Sequence, residues 1–108
     1  MVAGSSKISQ KTLEKLSDDE DYHPRSAVAY NKNTPQNILE KLSDDKMSDV
    51  RGAVAHNENT PEQLLEKLSN DDSSSVRRSV AQNKNTNKRT LEKLSKGWGD
   101  AADIAKKD

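Results

Sequence analysis

The chain has 108 residues, with 18 Lys and Arg against 18 Asp and Glu, so its formal net charge is zero. That length suits one small domain, and only 30% of the residues are hydrophobic, well below the roughly 45–50% of an ordinary globular domain. With no cysteine, disulfides, thiolate metal sites, iron–sulfur clusters and a Cys nucleophile are excluded. No run approaches the ~18 apolar residues of a membrane span, and a neutral chain has no bulk attraction for nucleic acid or anionic lipid. Met1–Gln10 lacks a basic stretch followed by an apolar run, so the expected compartment is the cytoplasm and no membrane association is expected.

The organising feature is a repeat. Leu-Glu-Lys-Leu-Ser occurs at 13–17, 39–43, 65–69 and 91–95, each copy 26 residues after the last. In the same register stand Arg25, Arg51 and Arg77; Val28, Val54 and Val80; and Asn31, Asn57 and Asn83. Residues 31–56 and 57–82 share 15 identities in 26 positions. The expected organisation is one helical-repeat domain over 1–108: a starter helix over about 8–16, units over about 17–42, 43–68 and 69–94, and a cap over about 96–108.

In chain order, the starter helix ends on the first Leu-Glu-Lys-Leu. In the next copy, Thr34 is a candidate N-cap and Pro35 suits a first helical position, where its missing N–H costs nothing. Ile38, Leu39 and Leu42 then fall on one stripe, predicting a helix over about Pro35–Ser43 with Glu40 and Lys41 outward. Asp44 and Asp45 break the pattern. A second segment over about Ser48–His56, capped by Ser48 or Asp49 and in part a 3₁₀ turn, buries Val50, Ala53 and Val54. Asn57 closes it, since Asn tolerates the left-handed conformation that ends helices. Beyond Leu94 the period is abandoned, and Trp98, Ala101, Ala102 and Ile104 predict a cap in which Trp98 packs on Leu91, Leu94 and Val80.

Helices of two turns are unstable alone. Five large apolar side chains per unit contribute about 1.5–3 kcal/mol each on burial, less than the backbone entropy of ordering 26 residues at about 1 kcal/mol or more each. The units must therefore stack, each covering its neighbour's apolar face.

The residues Leu-x-x-Leu, Val-Arg-x-x-Val-Ala-x-Asn and Asn-Thr-Pro, in that cyclic order over about 8–95, resemble the variant leucine-rich repeat family, a branch of the helical-repeat superfamilies related to HEAT repeats. The resemblance implies an all-α fold, a right-handed superhelical solenoid of alternating α and 3₁₀ helices. The 26-residue unit is slightly longer than that family's usual one, and the extra residues are expected in the Asp-rich turn. A cysteine-ligated iron–sulfur segment known in one family member cannot be carried over to a chain without Cys.

Most repeated columns have structural readings. Val28/54/80 and Leu16/42/68/94 are core; Asn31/57/83 close helix ends or bond the backbone of the next unit. Arg25/51/77 are expected to pair with the acidic turn six residues upstream, at Asp19, Asp45 and Asp71; the alternative is a basic stripe for phosphates or carboxylates. The Glu14/40/66/92 and Lys15/41/67/93 columns are expected to form charge pairs between units on a solvated face. Specificity belongs where units differ. Tyr30, His56 and Gln82 share one repeat position, and Ser26, Gly52 and Arg78 share another four residues earlier on the same face. With Tyr22 and Met47 nearby, Tyr30, His56, Arg78 and Gln82 are the candidate binding residues, having the aromatic and Arg character of interface anchors.

No catalytic residue, metal site or cofactor is expected. The carboxylate pairs Asp18-Asp19, Asp44-Asp45 and Asp71-Asp72 repeat as turns, His23 and His56 occupy non-equivalent positions, and no nucleophile elbow, P-loop or zinc-protease helix is present. The expected function is a non-catalytic, monomeric scaffold for a protein or peptide. Nucleic-acid binding along the Arg/Lys columns is the alternative, disfavoured by neutral charge and by the lack of an aromatic at the 26-residue period.

Overall fold

The computed structural model describes residues 9–97. They form α1 (Gln10–Leu16), α2 (Tyr22–Tyr30), α3 (Gln36–Leu42), α4 (Ser48–His56), α5 (Glu62–Leu68), α6 (Ser74–Gln82) and α7 (Lys88–Gly97), with no strand among the described residues. The proposed cap and its Trp98 lie outside the described residues.

The Leu-rich helices start at a proline because its ring fixes the approach while its carbonyl remains free. Pro35 C=O accepts from the N–H groups of Ile38 and Leu39, both at 3.1 Å, and Pro61 does the same for Leu64 and Leu65. Pro35 is thus the N-cap residue, and the helix begins at Gln36. Thr34, expected as the cap, has a different task. Its Oγ1 donates to Val28 C=O at 2.6 Å, and Thr60 and Thr86 donate to Val54 and Val80 at the same distance. Those carbonyls lie in the last turns of α2, α4 and α6, where intrahelical partners run out. Where the third copy has Asn87 in place of proline, Asn87 Oδ1 caps α7 by accepting from Thr90 N–H at 2.8 Å. At the other end, the Ser17 and Ser43 hydroxyls donate back to Glu14 and Glu40 C=O at 2.6 Å.

The second helix of each unit is α-helical over nine residues rather than partly 3₁₀, because 3₁₀ geometry is rarely sustained beyond 3–4 residues. Ser48 and Asp49 lie inside α4, whose N-cap residue is Met47. Its turn is closed one step earlier, by Asp45 Oδ1 accepting from Met47 N–H at 2.9 Å; Asp19 and Asp71 do the same for Asp21 and Ser73. Such Asx turns are a short carboxylate's local alternative to helix. Nor is Asn57 left-handed: it is extended, with φ −65° and ψ 127°. Its side chain explains its recurrence. Asn57 Oδ1 accepts from Asn59 N–H at 2.8 Å, while Nδ2 donates to Ala29 C=O at 2.7 Å and Asn31 C=O at 3.0 Å, both in the preceding unit. Asn83 repeats these bonds on Ala55 and Asn57. The expected bond to a neighbouring backbone is present, directed to the unit before rather than the unit after.

The even-numbered helices pack side by side, α4 between α2 and α6, and each odd-numbered helix packs on the even helices next to it in the chain. The contact surfaces differ in size. Between even helices the buried residues are small, chiefly Val28, Ala29, Ala53, Val54, Ala55 and Val80, whereas the odd helices bury Leu13, Ile38, Leu39, Leu42, Leu64, Leu65 and Leu68. The five core positions expected of the middle unit are all buried; Leu16, at the array's edge, is half-buried.

Val54 is fully buried at the centre of this row. Val54→Asp places a carboxylate there with no partner and severs the contacts of α4 with both flanking units. Circular dichroism should show loss of the cooperative helical melt, a destabilisation above about 4 kcal/mol; an intact sigmoidal transition would refute stacking as the source of stability.

Candidate binding site

The charged columns show which groups are already engaged. Arg25 donates through Nε and Nη2 to the two carboxylate oxygens of Asp45, at 2.8 and 3.1 Å, and Arg51 grips Asp71 with the same distances. Each guanidinium therefore reaches forward into the next unit. Toward the acidic turn of its own unit it bonds a backbone carbonyl instead: Arg25, Arg51 and Arg77 Nη1 donate to Asp19, Asp45 and Asp71 C=O at 2.7, 2.8 and 2.6 Å. The expected pairing with the carboxylate six residues upstream is corrected accordingly. At Asp45 and Asp71 that carboxylate is turned into its own Asx turn and the preceding unit's arginine.

Both members of these pairs are largely buried; side-chain exposure is 8% and 9% for Arg25 and Asp45, and 17% and 8% for Arg51 and Asp71. Burial pushes the Asp71 carboxyl up, but the Arg51 guanidinium and the Ser73 N–H outweigh it and hold the group below its ordinary value. The same bidentate bonding raises the guanidinium pKa values of Arg51 and Arg25 against the opposing cost of burial. The lysines of the repeated column pair with aspartates at the start of their own unit rather than with glutamates of a neighbour, Lys41 with Asp18 at 3.0 Å and Lys67 with Asp44 at 2.8 Å, whereas Lys84 pairs with Glu58 of the preceding unit at 3.4 Å.

The positions at which the units differ line the exposed side of the even helices. A groove of about 360 Å³ crosses all three. Its α2 side carries Tyr22, Ser26 and Tyr30, one residue per turn; α4 contributes Ser48, Asp49 and Gly52; α6 contributes Ser75 and Ser79. Tyr30, 54% exposed, is the large hydrophobic residue most open to solvent among those described. Its ring meets His56 edge-on, with centroids 5.3 Å apart, and Tyr22 stacks on His23 at 4.2 Å. The wall continues past Tyr30: His56 and Gln82 line a further hollow of about 220 Å³ together with Ser79. Of the candidate residues, Tyr22 and Tyr30 thus share the groove, His56 touches Tyr30, and Gln82 lies beyond His56. Met47 packs half-buried against the apolar core, and Arg78 is exposed on α6 outside the residues lining these hollows.

Sequence reasoning offered Asp49 only as a helix cap and did not single out Ser75 or Ser79, because the three come into line only when adjacent helices are placed side by side. Among the described residues, Asp49 is the sole charged side chain lining the groove. It is exposed and makes no ion pair or side-chain hydrogen bond among the described residues. Ser26 Oγ is buried without a hydrogen-bond partner. Among the described residues, no cluster of three or more His, Asp or Glu side chains is arranged to hold a metal ion, and no helix is long and apolar enough to cross a membrane.

The Arg51–Asp71 pair has a signature in acid. Because Asp71 has a lower pKa folded than unfolded, the unfolded chain binds its proton first as pH falls. The pair's contribution is therefore complete above about pH 5 and declines from the unfolded value near 3.9 downward through the folded one. Asp71→Asn should cost about 1–3 kcal/mol in urea melts at pH 7, and the gap between the two proteins should be constant from pH 5.5 to 8 and narrow below pH 4. A gap that widens in acid would contradict the pairing. Gly52 offers the opposite sign. A methyl at this helical position meets nothing closer than Val76 Cγ2 at 3.9 Å, so Gly52→Ala should raise stability by about 0.5–1 kcal/mol; a lower melting temperature would show that this space is not free.

Against known proteins, no curated protein and no solved structure matches the chain. A family model does match, over one period of the repeat. It begins at the second residue of α4, passes through α5 and ends at the turn before α6, so it contains the Val-Arg, Asn-Thr-Pro and Leu-x-x-Leu positions whose bonds are described above. Residues 49–73 match the model of the leucine rich repeat variant family.

Proposed function

We propose that the chain is a non-catalytic scaffold that holds a protein or peptide segment against the exposed side of α2, α4 and α6. The observation that carries this reading is the alignment of Tyr30, His56 and Gln82, residues of one repeat position, along a continuous wall beside a groove. Structural columns around them are occupied by internal bonds. These positions are filled differently in each unit and make few such bonds. Aromatic side chains that are exposed and held rigid by a neighbour are suited to anchoring a partner.

The architecture that would present this wall is a right-handed, HEAT-like superhelical solenoid of 26-residue units acting as a monomer. Its curvature would follow from residue size, since Ala, Val, Gly and Ser let the even helices approach closely while Leu and Ile hold the odd helices farther apart. The row of even helices would then be the inner, concave one. Nucleic acid is the second class of partner. The engagement of Arg25 and Arg51 with buried carboxylates weighs against it, because those charges are committed within the protein.

Panning a random peptide library on the folded chain tests the reading. Peptides retained by the wild-type protein should bind the Tyr30→Ala/His56→Ala double variant at least tenfold more weakly, with no change in melting temperature. Peptides that bind both proteins equally would place the partner elsewhere. Nucleic-acid binding that falls steeply with salt and survives the double variant would replace this reading with the second.

A further inference from the structure

Within the peptide-binding reading, on which this inference rests, we propose that the groove between Tyr22 and Tyr30 is a seat for an arginine side chain of the bound peptide. Four independent observations converge on a planar cation. First, the groove's one charge is negative: Asp49 is exposed and engages no cation among the described residues, unlike Asp45 and Asp71, whose carboxylates are already taken by arginine. Second, Ser26 Oγ is buried in the groove wall without a hydrogen-bond partner. Buried polar groups are nearly always satisfied, and a turn about the serine χ1 would bring this hydroxyl to a donor seated in the groove. Third, Tyr30 stands open to solvent at the rim, and an aromatic face attracts a cation held within about 6 Å. Fourth, Gly52 leaves the floor open, and the volume of about 360 Å³ lies at the small end of ligand sites, about 300–1,000 Å³.

Guanidinium fits these features better than ammonium. It is flat enough to lie along a tyrosine, and its five N–H donors can serve a carboxylate and hydroxyls at once. A phosphate or carboxylate would meet Asp49 with no cation lining the groove to offset it, so acidic and phosphorylated peptides are excluded by the same arrangement.

The experiment takes the peptides selected on the full chain and reads which residue recurs. Arginine is expected at one fixed position in those whose binding depends on Tyr30. Replacing that arginine by citrulline, which keeps the shape and removes the charge, should weaken binding to the wild-type protein at least tenfold and to Asp49→Asn less than twofold, the coupling expected of groups in contact. Ser26→Ala supplies a second variant. Removal of an unpartnered hydroxyl should leave the melting temperature unchanged or higher, while binding of the arginine peptide weakens severalfold. Tyr30-dependent peptides without an arginine preference, or with acidic or phosphorylated residues enriched, would overturn the arginine seat and leave the scaffold reading intact. A failure to select any Tyr30-dependent peptide would overturn both.

Discussion

No unit of this chain can complete itself. Twenty-six residues with a handful of large apolar side chains fall short of the entropy of ordering them, and the deficit extends to polar groups. Asn57 brings a donor to the carbonyls of Ala29 and Asn31 in the unit before it, and the Arg25 guanidinium finds its carboxylate at Asp45 in the unit after it. Core, backbone and charge are all settled across the boundary between units. This shared dependence ties together the seven short helices of the described residues, each marginal alone.

The same arrangement frees one face. Since the repeated Arg, Asp, Asn, Thr and Ser side chains are spent on turns and neighbours, the remaining exposed positions of α2, α4 and α6 are under little structural demand. They can hold tyrosine in one unit, histidine in the next and glutamine in the third, or Ser26, Gly52 and Arg78 four residues earlier. Aromatic contact between Tyr30 and His56 and the groove beside it arise where these tolerant positions meet across helices.

Much of this was legible in the sequence because period and hydrophobic spacing are local properties. Helix α4 ends where the pattern of Val50, Ala53 and Val54 ends, and the five core positions of the middle unit are those on its two stripes. What escaped was everything that depends on which unit a side chain faces. In a strict 26-residue repeat, Arg25 has an aspartate six residues behind and another twenty ahead, and the two are the same column; periodicity cannot tell them apart. Thr34 beside Pro35 has the form of a helix cap, and only the fold shows that the hydroxyl latches onto the previous helix at Val28. Asn57 suggested a left-handed residue, whereas its value lies in an amide that bonds forward and backward at once. Met47, beside the candidate strip in the sequence, is folded by its turn half onto the core. The groove itself was visible only as columns that differ. Asp49 joins Ser26 and Tyr30 in one groove through side-by-side packing of α2 and α4, which has no trace along the chain.

The boundary bonds between units also bear on how such a protein can change over evolutionary time. Arg25 to Asp45 and Arg51 to Asp71, and Asn57 to Ala29 and Asn83 to Ala55, each join groups separated by a fixed number of residues. Gaining or losing a block of 26 residues leaves every remaining bond with a partner of the right kind, while gaining or losing a single residue in a turn misaligns all those that span it. Whole-unit duplication is thereby the tolerated route of growth and single-residue insertion the penalised one. Array length can drift by recombination without any new interaction having to be invented, and each added unit brings its own unassigned surface positions for selection to act on.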